Sequence, residues 1–476
     1  MENIELGIRT PSMYSTRADA TTMSAASSRV RVIEQPPPDE AEGLSQLAPV
    51  DGGFSAWAML AASSLVGMLV WGFPNSSGVL LAAYLDDPLY KSQKNAETIL
   101  PLIGTLCTGI MYCSGLFIYP TIHYYPKARR IFIWSGSVIC FASLLGASFT
   151  TRVPMIVGLQ GAVFALGGSL AYGPVISFMS EWFVQRRGLA NGIIVAGDYF
   201  GGVIFPIIMP PLIARWGIQI TTRIYAFTFA IVLLPALPFL KARLPESRVH
   251  GPSPRSGARA WMKDRSFWFF IVINTLQGFA HFVPLTWLPT FATAIGLSPQ
   301  QASLTLTLAN CASVFAGFFV GYLSDRLNAW FLALVSLVCT SLATFVLWGA
   351  FSYSLAGILA YGLVYGTTAG CWSSMWNAFV RPVAKDDPSL ATTMFSILLL
   401  TRGVGNILST PISTSLQHAK LAVVRTATSG PPRSGFAVAS GQYNATIVYA
   451  GSCFAGAAVI AIIGWATDKR RVGIIG

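Results

Sequence analysis

Charge is scarce in this chain. Only 11% of its 476 residues are Asp, Glu, Lys or Arg, against roughly 25% in a soluble protein. So few charges cannot clothe a water-facing surface of that size, which excludes a string of ordinary soluble domains. Histidine is scarce too, with four residues, and no His, Cys or carboxylate spacing suits a metal ion. The seven cysteines, Cys107, Cys113, Cys140, Cys311, Cys339, Cys371 and Cys453, fall inside apolar runs. There a cysteine acts as a small buried hydrophobe. A Walker loop, an HExxH helix and a Gly-x-Ser-x-Gly elbow are all missing, so neither an ATP site nor an activated nucleophile is visible. No cofactor is expected, and the chain reads as a non-enzyme. Any active transport would draw on an ion gradient.

Apolar residues are abundant instead. They make up 53% of the chain, and the mean hydropathy is +0.58. Crossing the hydrocarbon layer takes about 20 apolar residues as a helix. Twelve runs reach that length, roughly 54–73, 99–122, 131–150, 155–180, 188–213, 222–240, 267–291, 301–323, 329–349, 354–378, 391–416 and 445–466. In lipid the backbone must satisfy its own hydrogen bonds, so each is predicted to be a helix. Pro206, Pro210 and Pro211 interrupt the fifth run, and Pro235 and Pro238 the sixth. The expectation is an all-α membrane protein of twelve transmembrane helices.

The net charge of +12 does not point to nucleic acid. Lysine and arginine sit in short clusters between the apolar runs, as orientation in a bilayer requires. Eighteen lie in the loops and tail on the side of the termini, and eight in the opposite loops. Both termini are therefore predicted cytosolic. Residues 1–50 are polar, carry Pro36-Pro37-Pro38 and show no signal peptide; they read as a disordered cytosolic tail. The connection 241–266 holds seven basic residues and three prolines. It divides the chain into six-helix halves at 51–240 and 267–466, followed by a short tail at 467–476. Such a division is the layout of a major facilitator transporter, with its substrate site between the halves.

Three motifs carry a family resemblance. Asp51-Gly52-Gly53-Phe54-Ser55-Ala56-Trp57 opens the first run. Glu181-Trp182-Phe183-Val184-Gln185-Arg186-Arg187-Gly188-Leu189-Ala190-Asn191-Gly192 joins the fourth to the fifth. Gly321-Tyr322-Leu323-Ser324-Asp325-Arg326 ends the eighth. Together they resemble the monocarboxylate-transporter-like branch of the major facilitator superfamily, in its fungal form. The resemblance covers roughly 51–470 and implies a secondary transporter working by alternating access. It also departs from that branch. The animal lactate carriers have a lysine where Asn75 stands, and an Asp and an Arg four residues apart where Asn310 to Val314 run uncharged. Lactate transport by that residue set is not carried over. Two cargo classes stay open: a secondary metabolite for export, which the lost charges favour, and a monocarboxylate or similar small metabolite. A non-transporting nutrient sensor on the same scaffold is a reading of another class. The membrane is the plasma membrane or a vacuolar or other internal one.

Two charges stand deep inside apolar runs, Asp198 in the fifth and Arg402 in the eleventh. A charge at the bilayer centre costs at least about 2.5–3.5 kcal/mol. Such residues mark a substrate pathway or a partner, or else each is satisfied locally within its own half. The expectation is that Arg402 engages an anionic or polar substrate group while Asp198 pairs with it or carries a coupling proton. His281, Asn75, Asn310 and Asn377 complete the candidate pathway. Asn274, Gln277 and the aromatic series Tyr361, Tyr365, Trp372 and Trp376 are either lining or packing. Arg186, Arg187, Asp325 and Arg326 are candidates for a cytosolic gate or for plain anchoring at the membrane face. Gly188, Gly192, Gly197, Gly201 and Gly202 give the fifth run a small-residue surface for close helix packing. Asn75-Ser76-Ser77 and Asn444-Ala445-Thr446 match the glycosylation sequon. The expected partners are the lipid bilayer and a small organic substrate, with a proton as coupling ion.

Overall fold

The computed structural model describes residues 48–125, 127–183, 186–243, 260–324, 326–384, 388–421 and 434–475. The N-terminal tail up to residue 47, most of the basic linker, and Asp325 lie outside the described residues, as do the expectations placed on them. The described chain is all helical. In order, α1 is Phe54–Asn75, α2 Ser77–Asp86, α3 Leu102–Tyr124, α4 Ala128–Ala147, α5 Phe164–Trp182 and α6 Arg187–Leu233. The second set runs α7 Arg265–Ala294, α8 Pro299–Ser324, α9 Ala329–Leu342, α10 Leu355–Thr368, α11 Trp376–Ala384, α12 Pro388–Leu421 and α13 Asn444–Ile475. Two π-helical turns, Val157–Val163 before α5 and Ala343–Phe351 after α9, lengthen their helices.

Ten helical stretches among the described residues are long and apolar enough to cross a membrane. Two departures separate that number from the twelve runs. The fifth and sixth runs lie in one 47-residue element, α6, whose helical geometry breaks at Gly217 with φ 77° and ψ 169°. Glycine takes that backbone at no steric cost. The arm before the break, 187–216, is about 45 Å long at 1.5 Å per residue. Pro206, Pro210 and Pro211 sit within that arm, whereas α6 stops at Leu233, two residues short of Pro235, as the restriction on a residue preceding proline favours. The tenth run, in turn, is broken between α10 and α11 by a turn and the 3-10 segment Trp372–Met375.

Large apolar side chains point outward along the bundle. Phe117, Ile131, Val138, Ile231 and Phe315 are all exposed, which suits lipid and not water. The interior holds many Ser, Thr and Asn side chains. Their hydroxyls bond back to the preceding turn, as Ser63 does to Met59 O at 2.7 Å and Ser137 to Ile133 O at 2.7 Å. Polarity inside and grease outside, on helices of this length, make a multi-pass integral membrane protein.

Glycine sets how closely the helices meet. A Cβ on Gly72 would stand 2.7 Å from the Cα of Gly201, and one on Gly201 2.1 Å from Met68 O. Gly197 meets Ser64 O in the same way, at 2.5 Å. The small-residue surface expected on the fifth run therefore packs α6 against α1. One turn round the helix, Gly192 and Gly202 face Phe318 and Asn310 of α8. The N-terminal and C-terminal helices also meet where α3 packs on α12 and α2 on α7.

Candidate functional site

Asp198 and Arg402 both lie at the junction of the N-terminal and C-terminal helices. Asp198, on α6, is half-buried. Its Oδ2 accepts a hydrogen bond from the Tyr172 hydroxyl of α5 at 2.8 Å. Its Oδ1 has no partner and presses on α1, where a Cβ on Gly67 would stand 2.1 Å away. Gly67 is thus the gap that admits the carboxylate. Arg402, on α12, is 1% exposed. Its Nη1 donates to Gln277 Oε1 of α7 at 2.6 Å, and its Nε has no partner. The guanidinium carbon stands 5.6 Å from the ring centre of Tyr112 and 6.0 Å from that of Trp376, within reach of cation–π attraction.

Asp198 and Arg402 do not form a salt bridge; the described ion pair is between Arg129 and Glu181. Each charge has its own supports, and Tyr112 and Tyr199 lie within electrostatic reach of both. Aromatic contacts connect them. Tyr172 and Tyr112 flank Trp71, at 5.9 and 4.9 Å between ring centres. Trp71, Tyr112, Tyr119, Tyr172, Ser114 and Leu399 line a recess that is partly open.

His281 stands behind Arg402 and not beside the recess. It is 2% exposed, and its Nδ1 lies 3.3 Å from Gln277 Nε2. Because Gln277 Oε1 accepts from Arg402, its Nε2 is the donor to Nδ1, which places the ring proton on Nε2. Tyr365 OH donates to the His281 carbonyl. Asn274 is fully used within the C-terminal helices. It donates to Leu398 O and Thr401 Oγ1 and accepts from Trp372 Nε1. Tyr361 stacks on Trp348, and Trp372 on Phe270. Of the aromatic series on the tenth run, Trp376 is the one that meets Arg402.

The asparagines divide. Asn75 is buried, and its Nδ2 donates to Asp198 O at 3.2 Å. Buried there, it is closed to an oligosaccharide. Asn310 Nδ2 points at Gly202 O and Leu306 O, each at 3.0 Å, and at Asn75 O at 3.4 Å. It bonds α8 to the α1–α6 pair. Asn377 is exposed. Asn444 begins α13 half-buried, and the Thr446 of its sequon is fully buried.

At the Asp51 end of the bundle, the motif residues form a network. Asp51 N donates to Trp182 O at 2.9 Å, and Arg186 N to Asp51 Oδ1 at 2.8 Å. Glu181 pairs with Arg129, which is 4% exposed, and accepts from Arg243 N at 3.1 Å. Arg243 Nε reaches Ala48 O at 2.8 Å. The Arg186 side chain is exposed, that of Arg187 lies outside the described residues, and exposed Arg326 rests on Tyr322, 4.3 Å from its ring centre.

The sequence reading did not single out Gly67, Trp71, Tyr112, Tyr119, Tyr172 or Arg129. Tyr112 and Tyr119 carried a signal, since seven residues is two helical turns and puts both on one face. Gly67 carried none, because its role is defined by a side chain from another helix.

Comparison with known proteins fixes the class. The family model described as Major Facilitator Superfamily matches residues 88–410. The chain belongs to the Major Facilitator Superfamily. Among curated relatives it is similar to the MFS transporter asaE of Aspergillus flavus, 27% identical over 77% of this chain and 81% of that protein. It is also similar to the Fujikurins efflux protein of Gibberella fujikuroi, 25% identical over 78% of each. Among solved structures, the nucleoside transporter NupG shares the fold with a TM-score of 0.59 at 14% identity, covering 86% of this chain and 99% of its own. This facilitator-superfamily protein is therefore a membrane transporter.

Proposed function

We propose that this transporter exports a small organic molecule, a fungal secondary metabolite, by alternating access between two six-helix halves. Twelve crossings follow if α6, bent at Gly217, supplies two and α10 with α11 supplies one more. Within the superfamily, the Asp51 and Glu181 motifs favour the monocarboxylate-transporter-like branch. The excess of lysine and arginine favours an orientation with the Asp51 end and both termini in the cytosol, and the plasma membrane is the membrane an exporter needs.

One observation carries the reading: each half contributes one buried charge, Asp198 or Arg402, to a shared aromatic recess. Charges in the bilayer are expensive, and they persist where they serve cargo or protons. Arg402 engages a polar or anionic group of the cargo. Asp198, with one oxygen bare, carries the coupling proton. The Arg129–Glu181–Arg243 network and the exposed arginines at the Asp51 end then serve as the cytosolic gate.

The test compares metabolites inside and outside cells with and without the protein. The expected result is one compound, or a set of related compounds, retained inside when the protein is absent. If no compound changes sides, transport is excluded and a binding-only sensor takes its place.

A further inference from the structure

The polar atoms left without partners around the recess describe the ligand that would complete them. A buried polar group is nearly always hydrogen-bonded, so an unpartnered one marks a missing molecule. Three donors stand unpartnered in the connected cluster: Arg402 Nε, Trp376 Nε1 and Trp71 Nε1. Arg402 and Trp376 are 1% and 5% exposed, so bulk water cannot satisfy them. Asp198 Oδ1 is the unpartnered acceptor, and the backbone at Gly67 already covers it. The recess is therefore rich in donors and poor in free acceptors. Its walls are aromatic faces, with Trp71 against Tyr112 and Tyr172 and with Arg402 over Tyr112 and Trp376.

We infer that the cluster is a binding site for a planar conjugated acid, such as an aromatic carboxylate or an acidic enol. Its oxygens take the N–H groups of Arg402 and the two indoles, and its ring lies against Tyr112 and Trp71. This rests on the transport reading for its purpose and sharpens it by naming the cargo chemistry.

Each part of the cluster selects for one property of the ligand. The guanidinium is already bound to Gln277, which is bound in turn to His281, so its direction is fixed before a ligand arrives. A pre-set charged donor favours an anion over an alcohol of the same shape. An indole N–H donates and never accepts, so a ligand with donors in place of acceptors leaves Trp71 and Trp376 unsatisfied. The aromatic walls favour a flat π-system over a puckered ring of equal area, because offset or edge contacts add to simple burial. A proton on Asp198 keeps a second negative charge out of the same low-dielectric space.

The experiment is calorimetric titration of the full chain in lipid nanodiscs with three probes: 1-naphthoate, the neutral 1-naphthylmethanol, and cyclohexanecarboxylate. The site predicts that 1-naphthoate binds at least about tenfold more tightly than either of the others. Arg402→Gln should weaken 1-naphthoate about tenfold or more. Should that variant misfold, Trp376→Phe and Trp71→Phe keep the rings and remove one donor each. Each should weaken the acid about threefold to tenfold and leave the alcohol unchanged. Equal binding of acid and alcohol overturns the inference, as does equal binding of the flat and puckered acids, or no binding of 1-naphthoate. The transport reading fails separately. If 1-naphthoate binds but is not moved across reconstituted vesicles, the site stands and export falls. If vesicles move other molecules without binding the acid, export stands and the site falls.

Discussion

Asp198 and Arg402 are both lone charges within long apolar helices, yet their surroundings are opposites. Arg402 is enclosed, with Gln277 and His281 behind it and two aromatic rings across its faces. Asp198 is half-buried and has a single side-chain partner, Tyr172, for two oxygens. The difference teaches how one fold uses two charges. A cation meant to hold cargo gains from being fixed in advance, because its ordering is complete before binding. A carboxyl meant to gain and lose a proton gains from an open side, since water must reach it.

The largest break in that comparison should come from Arg402. Arg402→Leu is expected to lower vesicle flux of the cargo by about a hundredfold, and Arg402→Lys by about tenfold, because a lysine lacks the planar fork that reaches Gln277 and cargo together. A lysine variant at the normal rate would show that only charge matters there. Asp198→Asn keeps the shape and removes the titration. Flux should fall about tenfold or more and lose its dependence on pH. Normal flux with a normal pH profile in that variant would end the proton role.

Gly67→Ala sharpens the contrast from a neighbouring helix. Its new methyl group displaces the Asp198 carboxylate and not a backbone, so flux should fall about tenfold while thermal stability changes little. Gly72→Ala is the matched control, since its methyl group meets the Gly201 backbone. That variant should lose about 1–3 kcal/mol of stability, read as a lower melting temperature in detergent. If both variants lose equal stability, Gly67 is only another packing glycine. Smallest is Tyr172→Phe, which removes the one donor to Asp198. It should shift the midpoint of the pH–flux profile and change the maximal rate only about twofold to fivefold. An unmoved midpoint would mean that the bond to Tyr172 does not bear on the Asp198 proton.

Much of the fold was legible because bilayer physics is nearly one-dimensional. Run length and loop charge marked the helices, and the glycine series from Gly192 to Gly202 marked a packing face. Asp198 and Arg402 stood out for the same reason, as charges where lipid forbids them. The tenth run hid its break, because Ala369-Gly370-Cys371 is apolar enough to read as continuous helix. Asn310 looked like a pathway residue, yet its amide bonds α8 to α1 and α6. Hydropathy cannot distinguish a polar side chain facing cargo from one tying helices together, because both sit inside apolar sequence. Arg129 looked like an anchor at the membrane face and is instead a buried partner of Glu181.

The sequence by itself determined the helical membrane class and the two buried charges, because each follows from the cost of leaving polar groups in hydrocarbon. Only the tertiary structure decided what those charges touch. Gly67, Trp71, Tyr112, Tyr172, Gln277, Trp376 and Arg402 come from seven helical stretches up to about 330 residues apart, and contacts at that range depend on how helix faces are rotated against one another. Close glycine contacts and ring packing set those rotations, and no single helix carries the information to fix them.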